Sequence, residues 1–115
     1  MSGKAFFERR VAALSAGDVD SLVADYADDA EVVRFLGVAH GPDEIRAYLV
    51  GFLAAHRRFD LISLDQFQET DESVMWEATV DTAAGAVQVY EVFVFNDDGK
   101  IWREFPGLHG YWGSD

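Results

Sequence analysis

The sequence predicts an α+β fold. Apolar residues recur at helical spacing only in the first half of the chain, and from Phe59 onward strand-like runs separated by short turns replace them. Half of the 115 residues are apolar, enough at this length for one core, so a single domain over residues 1–115 is expected.

Each element has its own signal. From about Lys4 to Ala16, Phe6, Phe7, Val11 and Leu14 fall on one helical face, and Gly17 stops the run. Asp18 is placed to cap a second helix, Val19 to about Ala27, with Leu22, Val23 and Tyr26 as its inward stripe. Asp28-Asp29 ends this hairpin, and Ala30 to Leu36 reads as a strand bounded by Gly37. After a short segment to His40, Gly41-Pro42-Asp43-Glu44 starts a third helix that buries Ile45, Leu49 and Phe52. Three strands follow, Phe59–Glu69, Ser73–Thr82 and Val87–Phe95, and a fourth begins after Asn96-Asp97-Asp98-Gly99, whose Asp-Gly step favours a hairpin. The Gly-rich stretch from Gly107 to Asp115 is expected to be loosely held.

A formal charge of −12 argues against nucleic acid and anionic membrane surfaces, which are held by clustered Lys and Arg. With no cysteine, there is neither a disulfide nor a thiolate nucleophile. The first residues lack the apolar segment of a secretion signal, and no apolar run approaches the roughly 18 residues of a membrane span, so a cytoplasmic protein is expected.

Three local sequences carry a family resemblance: Val11 to Asp18, Tyr26-Ala27-Asp28-Asp29-Ala30, and Gly41-Pro42-Asp43-Glu44-Ile45-Arg46. Together with the order helix, helix, strand, helix, meander, they resemble the nuclear transport factor 2-like superfamily, in particular ketosteroid isomerases and SnoaL-like polyketide cyclases. Gly99 to Phe105 resembles the closing strand of SnoaL-like proteins and of limonene epoxide hydrolase. The resemblance implies a cone-shaped, curved, mixed or antiparallel sheet, a cystatin-like α+β barrel, closed by three helices around an apolar pocket. It also implies a homodimer, which the apolar residues on both strand faces favour, and a small apolar molecule as partner. Because the superfamily holds isomerases, cyclases, epoxide hydrolases, dehydratases and binding modules, the chemistry has to come from the pocket residues.

Glu91 shares a strand face with Val87, Val89, Phe93 and Phe95, and its other face is also mostly apolar. Desolvation there would raise its pKa and suit it to donate a proton; the alternatives are an arginine partner or a strand end reaching water. By resemblance, Glu91 stands where ketosteroid isomerases carry the aspartic acid of the oxyanion hole. Arg10 takes the place of their oxyanion-hole tyrosine and Arg34 that of their aspartate base, which removes the family's proton acceptor and makes steroid isomerisation by that mechanism unexpected. Both arginines sit among apolar residues. They could point inward, with Arg34 pairing with Glu91 or both binding an anionic or carbonyl-bearing ligand, or they could reach outward to water.

Glu104 falls where limonene epoxide hydrolase has its water-activating aspartate, so it is a candidate base, or else a surface residue paired with Arg103. By the resemblance, that enzyme's partner arginine and second aspartate correspond roughly to Glu77 and Thr79, so its acid–arginine–acid relay is absent unless Arg34 substitutes from another strand. The alternation Glu77, Thr79, Asp81 against Trp76, Ala78, Val80 favours solvent exposure of the Glu77 face, whereas the resemblance would turn Glu77 toward the pocket as a substrate contact, and the register stays open. Tyr26 and Tyr48 are candidate pocket walls, Phe52 and Phe93 candidate ligand contacts, and His56 could face the pocket mouth. His40, His56 and His109 lack metal-ligand spacing, and no catalytic serine triad, phosphate loop or dinucleotide fingerprint is present, so neither metal nor cofactor is expected.

These residues predict a cofactor-independent acid/base enzyme acting on an apolar, oxygen-bearing substrate, as an isomerase, cyclase, epoxide hydrolase or dehydratase. Glu91 would be the acid, Glu104 the base and Arg34 the electrostatic partner. The alternative is a non-catalytic ligand-binding or dimerisation domain held by a structural Arg34–Glu91 ion pair.

Overall fold

The computed structural model describes the backbone of residues 2–112 and the side chains of residues 2–109. Helix α1 (Gly3–Ala16) begins where the Ser2 hydroxyl accepts from Ala5 N at 3.0 Å, and it ends at Gly17, whose φ of 68° is the left-handed conformation that glycine adopts without strain. Helix α2 (Val19–Ala24) is capped by Asp18, which accepts from Ser21 N at 3.2 Å.

Helix α2 stops short of the expected Ala27. Ile101 N donates to Asp25 O at 2.8 Å and Tyr26 pairs with Ile101, so strand pairing captures Tyr26, and β1 runs Tyr26–Arg34. Tertiary structure overrides the helical period here. Asp28 and Asp29 ride exposed on β1 instead of ending an element, within a register shift between Tyr26 and Glu31. Phe35 and Leu36, expected inside the strand, form the exposed turn of a tight hairpin that pairs Arg34 with Gly37 and leads into β2 (Gly37–His40).

Helix α3 (Gly41–His56) carries Pro42 in its first turn, and Glu44 reaches back to accept from His40 N at 2.9 Å. It buries Ile45 and Leu49 against the sheet, while Phe52 is only partly covered. The remaining strands are β3 (Asp60–Glu69), β4 (Ser73–Thr82), β5 (Gly85–Phe95) and β6 (Ile101–Trp112). Asn96 Oδ1 accepts from Asp98 N and Lys100 N, both at 3.0 Å, and closes the Asp-Gly turn. The expectation of a loose end from Gly107 is corrected as far as Trp112: β6 continues, with Gly107 opposite Tyr90 and Trp112 opposite Ala86. Residues 113–115 lie outside the described residues.

The strands form one mixed sheet in the order β2-β1-β6-β5-β4-β3, antiparallel throughout except for the parallel pair β1 and β6. The sheet curves without closing into a barrel, and β2 and β3 remain its edges. Val74, Trp76, Ala78 and Val80 on β4 are buried on one face with Val87, Val89 and Phe93 on β5. Helix α1 presses Phe6 and Phe7 onto them, with Phe7 4.8 Å from Trp76 and Phe6 5.0 Å from Phe93 between ring centroids, edge to face. Among the described residues no helix is long and apolar enough to cross a membrane.

Candidate functional site

The inward face of the sheet holds charged side chains beneath and beside an apolar cavity. β4–β5 pairing sets Glu91 opposite Trp76, β5–β6 pairing sets Phe93 opposite Glu104, and β1–β6 pairing sets Val32 beside Glu104. Trp76, Phe93 and Val32 are all buried, so this register brings Glu91 and Glu104 to the inner face.

At the deep end, Arg10 and Glu104 are 2% and 0% exposed. Arg10 Nη2 donates to the Tyr26 hydroxyl at 2.8 Å and lies 3.4 Å from Glu104 Oε2. Tyr26 donates its own proton to Glu104 Oε1. The guanidinium also sits over the Phe93 ring, 4.8 Å from its centroid, while its Nε and Nη1 are buried without hydrogen-bond partners. Burial works against the charge on Arg10, but Tyr26, Glu104 and Glu91 outweigh it and hold the group cationic. Burial likewise pushes the Tyr26 hydroxyl well above its ordinary pKa, as does Glu104, against the opposing pull of Arg10.

Glu91 stands between this network and the cavity. The residue as a whole is half-buried, yet its carboxyl Oε2 is buried with no partner. Desolvation raises its pKa well above the usual carboxylate range; the negative charge of Glu104 and a hydrogen bond with it raise it further, and Arg10 only partly opposes them. Burial and the neighbouring Glu104 thus both favour the protonated form of Glu91.

The cavity, about 360 Å³, is lined by Arg34, Tyr48, Phe52, His56, Phe59 and Glu91, with Val89 and Leu108 adding apolar wall. Tyr48, Phe52 and His56 come from successive inward positions of α3, and the Phe52 and His56 rings are in contact, tilted by 55° with their centroids 4.4 Å apart. Arg34, at the end of β1, lies over Tyr48 with its guanidinium 4.7 Å from the ring centroid. Burial raises the Tyr48 hydroxyl above its ordinary pKa and lowers that of the half-buried His56 imidazole.

The structure revises three expectations. Arg34 and Glu91 form no ion pair, because the Glu91 carboxyl turns to Glu104; the buried ion pair is Arg10–Glu104. Glu104 is neither on the surface nor on the cavity wall, since Arg10 and Tyr26 hold it beneath Glu91. Glu77 lies on the outer face, bound by Gln66 and by His109 at 2.5 Å, because Trp76 takes the inward position of that pair. Arg10, Tyr26, Phe93, Glu91 and Glu104 meet at the deep end, and Arg34, Tyr48, Phe52 and His56 line the cavity. Sequence reasoning missed Phe59, Val89 and Leu108 as wall. It also missed Phe35 and Leu36 at the cavity mouth, although Gly37 directly after them was a turn signal. Among the described residues no group of three or more His, Asp or Glu is placed to hold a metal ion.

No curated protein sequence matches the chain. Several solved structures share its fold. A SnoaL-like protein of unknown function from Burkholderia thailandensis superposes with a TM-score of 0.78 at 20% identity, over 96% of this chain and 99% of that one. An NTF2-like protein of unknown function from Burkholderia pseudomallei gives 0.74 at 20% identity, over 94% and 92%. A candidate polyketide cyclase from Sinorhizobium meliloti gives 0.71 at 21% identity, over 84% and 88%. At these identities the likeness is one of fold. The model of the SnoaL-like domain matches residues 7–104, which contain every side chain of the buried network and most of the cavity wall, and the chain belongs to the SnoaL-like family.

Proposed function

We propose that this chain is an enzyme of small-molecule chemistry that moves protons on an apolar, oxygen-bearing ligand, with Glu91 as the acid and His56 as the base. The observation that carries this reading is that the two side chains line one cavity with displaced affinities. Glu91 holds its proton above the usual carboxyl range, and His56 is neutral below the usual imidazole range. In the proposed step a ligand carbonyl oxygen accepts the proton of Glu91 while a ring nitrogen of His56 removes a proton from the adjacent carbon. The C–H electron pair becomes the C=C bond of an enol. Reprotonation at another carbon of a conjugated chain gives an isomer, and attack of the enol on a second carbonyl closes a ring; the candidate polyketide cyclase among the structural relatives is consistent with the latter. Glu104 does not touch the ligand in this reading. It is a positioning residue that fixes the proton on Glu91, a different role from the base expected of it.

The reading is tested by proton exchange in heavy water, followed by NMR, with a panel of cyclic enones, β-keto esters and lactones. The expected result is exchange of the carbon-bound proton next to the carbonyl in the native protein, lost in Glu91→Gln and in His56→Ala with the fold intact. Absence of exchange across the panel, or exchange untouched by both substitutions, overturns it.

A further inference from the structure

Two arginines reach the interior, and the buried network engages one of them. Arg10 is committed to Tyr26, Glu104 and the Phe93 ring. Arg34 is not: it lines the cavity, rests on the face of Tyr48, has a buried Nε without a partner, and makes no ion pair with any carboxylate among the described residues. On the same wall Glu91, His56 and Tyr48 are each shifted toward the uncharged form, Glu91 and Tyr48 upward and His56 downward. The cavity therefore presents one formal charge, and it is positive. The half-buried Arg34 guanidinium has a donor fork that no protein group occupies among the described residues, and a planar fork of that kind matches a carboxylate through two parallel hydrogen bonds.

We infer that the cavity takes a mono-anionic small molecule, its carboxylate held by Arg34 and its apolar body laid against Phe52, Phe59 and Leu108. This deepens the proposed function and rests on it for the neutrality of Glu91. The volume of about 360 Å³ suits a compound of one or two rings. A single fixed cation balances a carboxylate but not a phosphate dianion. The net charge of −12 does not stand against an anionic ligand, because at physiological ionic strength exposed charges are screened beyond about 8 Å, while a pair inside the cavity is screened far less.

Calorimetric titration with 2-naphthoate and its uncharged amide, 2-naphthamide, tests the inference. The acid is expected to bind at least about tenfold more tightly than the amide, as a charge-assisted pair implies. Arg34→Met should erase that difference, and Arg34→Lys, which keeps the charge and loses the fork, should retain part of it. Should the methionine variant fail to fold in a thermal melt, the lysine variant decides alone: a smaller acid preference than in the native protein supports the inference. Equal or tighter binding of the amide, or an acid preference unchanged by either Arg34 variant, overturns it. The two readings fail separately: proton exchange that depends on Glu91 and His56, with no acid preference, removes only the anionic ligand class. An Arg34-dependent acid preference without exchange removes only the enzyme.

Discussion

Arg10 and Glu104 stand 94 positions apart in the sequence and 3.4 Å apart in the fold, where their side chains are 2% and 1% exposed. Neither charge is tolerable there alone. Desolvating an ion costs several kcal/mol, and a partner at this distance, with the Tyr26 hydroxyl between them, offsets that cost.

Breaking the pair on one side should therefore be expensive. Glu104→Gln is expected to destabilise the fold by about 3–5 kcal/mol, and Arg10→Met by a similar amount. The double substitution should cost clearly less than the sum of the two. Urea denaturation of all four proteins checks this, and additive losses would show that the two side chains do not depend on each other.

Glu91 gives stability a pH dependence of definite sign. Its folded pKa lies above the ordinary value near 4.5, so between the two values the folded state binds more protons than the unfolded one. Its contribution is complete below the ordinary value and is lost as pH rises toward the raised one, at up to about 1.4 kcal/mol per pH unit. Glu91→Gln should flatten that fall while leaving the fold as stable as, or more stable than, the native protein above neutral pH. Urea midpoints measured in steps from pH 4 to 9 decide it, and parallel curves for the two proteins would be the contrary result. His56 acts in the opposite sense. Its folded pKa is depressed, so its contribution is lost as pH falls below the ordinary imidazole value of 6.5.

Tyr26 and Tyr48 should resist ionisation. Burial raises both hydroxyls well above 10, and the carboxyl groups of Glu104 and Glu91 add to it. In an alkaline titration followed by tyrosinate absorbance, Tyr26→Phe and Tyr48→Phe should each remove amplitude only from the late phase that accompanies unfolding. Loss of amplitude near pH 10 from either variant would place that ring in water.

A homodimer is expected through the outer sheet face, where Met75 and Phe105 are 51% and 39% exposed. Sedimentation at micromolar concentration should report twice the chain mass of 12.8 kDa, and Met75→Glu should shift it toward one chain. A native protein that sediments as a single chain would end this expectation.

Most of the fold was legible because its signals are local. Gly17, Asp18, the Gly-Pro-Asp-Glu helix start and the Asp-Gly turn each act through neighbouring backbone, and all appear where the sequence places them. The exceptions are long-range. Tyr26 has a helical period behind it, yet strand pairing with Ile101 and hydrogen bonds to Arg10 and Glu104 draw it into β1. In the site, the apolar surroundings of Glu91, Arg10 and Arg34 did mark interior charges. Which acid meets which arginine depends on strand register across β5 and β6, and a sequence does not state a register. The same limit hid the orientation of Glu77, since alternation fixes that two faces differ without saying which one α1 will cover.

The parallel pairing of β1 with β6 also bears on how the chain acquires its structure during synthesis. β1 and β2 can fold back on each other as soon as they emerge, but the neighbour that fills the centre of the sheet is the last strand made. Until it arrives, β1 exposes a free edge beside apolar Ala30 and Val32, which later become fully buried. Closing that gap brings together segments from opposite ends of the domain, a slow kind of encounter by comparison with hairpin formation. The acidic side chains Asp28, Asp29 and Glu31 on that same edge are then more than solubilising decoration: they are placed to discourage other chains from taking the seat kept for β6.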